Sequence, residues 1–176
     1  MNKLNNCERI ERDALEGKVI LASQAGLDAL AKRIKLVEAE RDNVKNRLGE
    51  SVREDPDLPE NIEFKELKTR LQFEIPKLLA DLRAESLKSV LHFEDQDGLV
   101  RFGTRFEAVV HYSVEDIESG LFQLLGPLEA KYLERGLYQP VSYLTPFGRA
   151  VWGMQGTVKY QSPGGEVECV ISRIVK

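Results

Sequence analysis

Apolar residues recur through the first half of the chain at helical spacing. From Ser23 they fall at Leu27, Leu30, Ile34, Val37, Val44 and Leu48, alternately three and four apart, with Arg41 in the one polar place. That is a heptad seam. Asp28, Lys32, Arg33, Glu38, Glu40, Lys45 and Arg47 lie between as a solvated face. A stripe this narrow suits a coiled coil better than a core helix. The pattern resumes at Phe64, Leu67, Leu71, Ile75, Leu78 and Leu82, predicting a second helix from Glu60 to about Lys88. Pro76 should kink it or weaken one turn. Two helices joined by a short bend run antiparallel. At 1.5 Å per residue the expected object is a projecting rod about 45 Å long, with the bend at its tip.

The second half alternates differently. "FEAVVHY" and "GLFQLL" read as strands separated by a polar turn, "SVEDIES". "TPFGRAVWG" reads as a short helix with Thr145 as N-cap and Pro146 at its first position. "GTVKYQ" and "EVECVISRIV" flank "SPGG", predicting a hairpin with a type II turn. Phe147 and Trp152 are expected as core anchors. Strands with one short helix make a small α+β domain. Glycines and aromatics become common after about residue 92, where the composition changes.

Composition narrows the classes. The formal net charge is −4, which argues against sequence-independent coating of nucleic acid. No apolar run reaches membrane-spanning length, and "MNKLNNCERIERDALEGKVIL" lacks the apolar centre of a signal peptide, so a cytoplasmic protein is expected. Cys7 and Cys169 are too few for a disulfide framework, and His92 and His111 too few for a histidine-rich metal site. No Ser-His-Asp or Cys-His arrangement stands out. "SPGGEVE" lacks the Lys-Ser/Thr of a phosphate loop.

The chemistry concentrates in the bend, "REDPDLPENIEF", which carries Glu54, Asp55, Asp57, Glu60 and Glu63. Asp57 and Glu60 stand three apart at the start of the second helix, the spacing of a capping box. Solvated charge is another reading. A third is a weak divalent-cation site, since Mg²⁺ takes oxygen ligands and keeps several waters. Two carboxylates on an open tip make no complete catalytic site, so such a metal needs ligands from a partner. Arg53 and Lys68 flank the tip and could hold a polyanion's phosphates, or simply be solvated.

"REDPDLPENIEFKELK" resembles the tip of the bacterial Gre transcript cleavage factors (GreA/GreB), where the pattern is roughly R-E-x-G-D-L-x-E-N-A-E-Y. "LTPFGRAVWG" is similar to that family's S-P-x-x-R-A-L-x-G segment, and "SPGGEVECVISRIV" to its A-P-G-G-E-x-E-Y-E-I ending. "VRFGTRFEAVV" resembles the start of its globular domain. The motifs occur in order from about Leu21 to Val175.

The resemblance implies an α+β protein, an N-terminal antiparallel coiled-coil helical hairpin plus a C-terminal FKBP-like domain. It implies a partner, bacterial RNA polymerase, entered through its secondary channel. Asp57 and Glu60 match the tip acids that help hold a catalytic Mg²⁺ shared with the polymerase, with no cofactor bound stably. The polymerase then cleaves its own backtracked RNA, so the factor is not an enzyme by itself. Arg53 and Lys68 match a basic patch that contacts the RNA 3′ end, and its limited extent leans toward the GreA-like side. Thr145 and Pro146 match the polymerase-docking loop. A monomer is expected, divided into a leader over 1–20, the coiled coil over 21–90 and the docking domain over 91–176.

The chain departs from the pattern at several places. Pro56 replaces the glycine before the first acid and restricts Asp55. Leu144 and Thr145 replace a polar residue and Ser before Pro146, Met154 a common Lys, and Ile62 and Phe64 an Ala and a Tyr. Met1–Val19 has no assigned role. These departures keep two alternatives in view. One is a Gre-like channel-binding regulator without cleavage activity. The other is an FKBP-like binding or chaperone module with a coiled-coil adaptor.

Overall fold

The computed structural model describes residues 3–54, 62–92, 98–113, 115–133 and 136–175. The chain divides into two compact units, Leu30–Leu87 and Met1–Ala29 with Lys88–Lys176. It is an α+β protein.

The first unit is a helical hairpin. Helix α2 (Gln24–Glu54) supplies one arm. The return arm is α3 (Ile62–Thr69), a π-helical turn (Arg70–Glu74) and α4 (Ile75–Lys88). Ion pairs cross between the arms: Arg47 with Glu63 at 2.5 Å, Arg70 with Glu40, and Arg83 with Glu38 at 2.8 Å. Numbers fall along one arm as they rise along the other, so the arms are antiparallel. Leu30, Val37 and Val44 are buried on α2, and Leu67, Ile75, Leu79 and Leu82 on the return arm.

The π turn has a cause in the sequence. Pro76 has no N–H, and in a continuous α-helix its ring would press on the Gln72 carbonyl. The helix widens by one residue ahead of it, and the Ile75 N–H donates to the Arg70 carbonyl, five residues back. The seam expected at Leu78 falls instead on Leu79. At ~100° per residue Leu79 lies ~40° from Ile75 and Leu78 ~60° on the other side. Leu79 is accordingly 5% exposed and Leu78 37%.

The second unit holds a five-stranded sheet in the order β5-β4-β3-β7-β6. Its strands are β3 (Arg105–His111), β4 (Ile117–Leu125), β5 (Gln139–Ser142), β6 (Gly156–Ser162) and β7 (Gly165–Val175). All pairings are antiparallel except β4 with β5. Period-two alternation sends Phe106, Ala108 and Val110 of β3 inward, with Phe122 and Leu124 of β4 and Val167, Cys169 and Ile171 of β7. Opposite the Glu107–Ala108 step, β7 carries an extra residue, Ser172, whose hydroxyl donates to the Glu107 carbonyl at 3.2 Å.

Two turns differ from the sequence reading. Strand β4 begins at Ile117, inside the segment expected to be turn. The Ser113 hydroxyl accepts from the Asp116 amide at 3.0 Å and closes the turn early. In "SPGG" the positive φ falls on Gly165, at 125°, and not on Gly164, so the turn is not type II.

Residues before Ser23 contribute to this unit's core. Helix α1 (Lys3–Leu15) buries Ala14, and strand β1 (Ile20–Ala22) pairs in parallel with β2 (Ser89–Leu91). The Leu21 amide donates to the fully buried Tyr143 hydroxyl at 2.9 Å. Glu11 on α1 lies 3.1 Å from Arg101 and 3.5 Å from the His92 imidazole. Phe147 packs edge-on against Phe122 at 5.3 Å, and Trp152 against Tyr143 at 5.6 Å. Both are core anchors, as their sequence setting predicts.

Candidate functional site

In the hairpin, α2 carries Arg53 in its last turn and α3 carries Glu63 in its first, each with the charge sign that its helix end favours. Arg53 is exposed. Lys68 is exposed too, with its ammonium 5.9 Å from the centroid of the Phe64 ring, one helical turn earlier. The Arg47–Glu63 pair joins the arms on either side of the bend. Asp57, Glu60 and Pro56 lie outside the described residues, as does the capping geometry expected there. Among the described residues no group of three or more His, Cys, Asp or Glu side chains could hold a metal ion.

The expected docking residues sit in the other unit, at the start of α6 (Pro146–Val151). Thr145 is the N-cap: its hydroxyl accepts from the Gly148 amide at 3.0 Å and donates to the Ser142 carbonyl at 2.7 Å. Pro146 occupies the first turn, where no amide donor is required. Gly148 is demanded by packing, because a Cβ there would stand 2.1 Å from the Ser142 carbonyl oxygen. Thr145 and Pro146 are exposed, so the cap holds the loop without hiding it. Pro146, Leu144, Arg149, Lys159 and Tyr160 border a shallow depression of about 470 Å³.

The sequence reading passed over Glu129, which is completely buried on α5 (Pro127–Tyr132). One carboxylate oxygen accepts from the Ser23 amide at 2.6 Å and the Ser23 hydroxyl at 2.7 Å. The other accepts from the Gly126 amide at 3.1 Å. The available signal was Pro127 followed two places later by an acid, the marks of a helix start. The distant partner Ser23 had no local signal.

Burial raises four acids of the second unit, the Tyr160 phenol among them. The Cys169 thiol is pushed up to about 11, which leaves it an inert core group. The Tyr112 phenol is pushed up to about 12, by burial first and then by the neighbouring Glu118 carboxylate, 3.2 Å from its hydroxyl. Burial also raises the Tyr143 phenol. No helix of the described residues is long and apolar enough to cross a membrane.

No protein-family model matches the chain, and no curated protein matches it. Among solved structures it is similar to Gfh1 of Thermus aquaticus, at 20% identity over 90% of this chain and 99% of that one, with a TM-score of 0.41. It is also similar to GreA factor homolog 1 (Gfh1) of Thermus thermophilus, at 19% identity over 90% and 99%, with a TM-score of 0.39. The prokaryotic transcription elongation factor GreA/GreB from Nitrosomonas europaea follows at 17% identity over 90% and 98%, with a TM-score of 0.33. At such scores these likenesses carry no argument about this chain's activity, and the functional case rests on its own residues.

Proposed function

We propose that the chain is a Gre-type transcription elongation factor that binds bacterial RNA polymerase through its secondary channel and stimulates cleavage of backtracked RNA. One observation carries the reading. The acidic motif containing Asp57 and Glu60 falls between helix ends at Glu54 and Ile62, at the bend of an antiparallel hairpin. The residue types suit the role. Carboxylates are the ligands Mg²⁺ prefers, and exposed cations such as Arg53 and Lys68 suit contact with an RNA 3′ end. Thr145 and Pro146, presented by a capped loop on what we take to be an FKBP-like domain, would dock on the polymerase.

In this reading the hairpin, as a coiled coil, delivers Asp57 and Glu60 to an active centre that the polymerase supplies. A Mg²⁺ held jointly there would activate water for phosphodiester hydrolysis. Asp57 and Glu60 would supply oxygen ligands to it and help orient the attacking water. The chain is not an enzyme by itself, binds no cofactor stably, acts as a cytoplasmic monomer and has GreA-like preference for short backtracked ends.

The test adds purified protein to a stalled, backtracked complex with its matched polymerase. The wild type should accelerate cleavage. Asp57→Ala with Glu60→Ala should abolish the acceleration and leave binding intact. Pro56, where the family pattern has glycine, favours one other reading, a channel-binding regulator. That reading predicts binding and slowed transcription with no cleavage. An FKBP-like module unrelated to transcription would retrieve no polymerase at all.

A further inference from the structure

The division between the two units falls inside α2, after Ala29, and the helix is continuous across it. Whatever fixes the first turns of α2 therefore fixes the root of that arm. Strand β1 leads through Ser23 into α2, α4 leads directly into β2, and the β1–β2 pairing joins the two roots. The Ser23 hydroxyl accepts from the Gly26 amide at 3.1 Å and caps α2. That local bond is enough to start a helix. Ser23 nonetheless makes two further bonds, from its amide at 2.6 Å and its hydroxyl at 2.7 Å, to one oxygen of Glu129, 106 residues away in sequence. The other Glu129 oxygen accepts from the Gly126 amide at 3.1 Å and caps α5. One carboxylate thus joins the starts of two helices.

The junction demands a carboxylate. All three groups that reach Glu129 are donors, and an ionised carboxylate only accepts. A glutamine amide in its place would turn an N–H against a donor on one side or the other. Glu129 is fully buried, so solvent does not compete for these bonds. Its neighbours are shaped to it. A Cβ on Gly26 would stand 2.3 Å from one carboxylate oxygen, and one on Gly126 would stand 2.7 Å from the other. The chain just ahead of Ser23 is held as well, by the bond from the Leu21 amide to the Tyr143 hydroxyl.

We infer that Glu129 is a positioning residue for RNA cleavage: by locking Ser23 to α5 it holds the root of α2, and so limits the play of the bend that carries Asp57 and Glu60. The inference rests on the transcriptional reading. Glu129 touches neither RNA nor metal and acts only through the helix. The lever is long. At 1.5 Å per residue the 31 residues of α2 span about 46 Å, so a tilt of about 2° at the root displaces the far end by about 1.6 Å. A misplacement of about 1 Å can cost roughly 10²-fold in rate.

The test follows cleavage in a backtracked complex over a range of protein concentrations, which separates the rate at saturation from the half-saturating concentration. Glu129→Gln should lower the saturated rate by at least about tenfold and keep the half-saturating concentration within about threefold, because the Thr145 loop is untouched. Amide hydrogen exchange at Gly26 and Leu27 of the free variant should be faster than in the wild type. Should Glu129→Gln fail to fold, Ser23→Ala decides. It should lower the saturated rate too, and Ser23→Thr, which restores a hydroxyl, should recover it. Val110→Ala, which cuts into the core of β3, controls for lost stability and should cleave at the wild-type rate at saturation. Faster exchange with an unchanged saturated rate would make Glu129 a stabilising cap only and overturn the inference. An equal loss of rate in Val110→Ala would overturn it as well. No acceleration by the wild type is a different outcome, which defeats the transcriptional reading and the inference with it.

Discussion

In the hairpin, a buried side chain such as Leu67 belongs to a single stripe, and the residues on either side of it are wet. In the sheet unit, Phe106 meets Phe122 at 5.7 Å and Phe147 at 6.4 Å, and Phe147 in turn meets Tyr160 at 5.9 Å. The first kind of burial is one-dimensional. Its partners follow from periodicity and chain reversal. The second is a cluster assembled from β3, β4, α6 and β6, whose members are far apart in sequence. The comparison separates two tasks, because the exposed functional candidates sit where each kind of burial stops. Arg53 and Lys68 flank the bend of the stripe, and Thr145 and Pro146 stand on a loop anchored at the edge of the cluster.

The largest effect should come from cutting into the cluster. Phe106→Ala is expected to cost about 3–5 kcal/mol, and Leu67→Ala in the hairpin about 2 kcal/mol. Denaturant midpoints of the two variants check this. Equal losses would erase the distinction, because the stripe would then be packed as tightly as the cluster.

The same contrast explains what could be read from the chain alone. The hairpin arms, the strands containing Phe106 and Val167, and the Thr145 cap follow from local spacing and local turn chemistry. Helix α1 and the β1–β2 pair do not, because their stabilising partners are remote. Leu21 needs the Tyr143 hydroxyl, and Ile20 pairs with Ser89. Strand β5, four residues long, pairs in parallel with β4 and gives no hairpin signal. The π turn was hidden for a subtler reason. Pro76 announced an interruption, but periodicity cannot say whether a helix kinks or widens by one residue. The candidate site divides in the same way. Arg53, Lys68, Thr145 and Pro146 stand on elements that the sequence predicts, whereas the buried Glu129 answers to a residue more than a hundred places away.

Pro76→Ala sharpens the stripe. An interior proline costs about 3 kcal/mol in a regular helix, and the π turn has already relieved part of that. The variant should be more stable by about 1.5 kcal/mol and more helical by circular dichroism. A loss of stability would mean that the widened turn is favoured by contacts of its own.

Thr145→Ala probes the edge of the cluster. Loss of the cap should cost about 1 kcal/mol, and Thr145→Ser should cost almost nothing. Thermal unfolding distinguishes them. If Ala and Ser behave alike, the hydroxyl is not what holds the loop.

The smallest effect concerns Tyr112. Its phenol is raised from 10.0 to about 12, so the folded state favours the protonated form. The associated stability is complete below pH 10.0 and is lost as pH rises through about 12. Urea midpoints of the wild type should therefore fall toward those of Tyr112→Phe across that window. Below it the gap should stay constant. A gap that does not change with pH would show that neither burial nor Glu118 raises the phenol.

The central claim is that the bend exists to carry two acids into a partner's active centre. The direct measurement is the initial rate of RNA cleavage in a backtracked polymerase complex at saturating protein, for wild type and for Asp57→Ala with Glu60→Ala. The account predicts acceleration by the wild type, and a rate at least about 10- to 100-fold lower for the variant at unchanged polymerase affinity. Equal rates for the two proteins, or no acceleration by either, would contradict it.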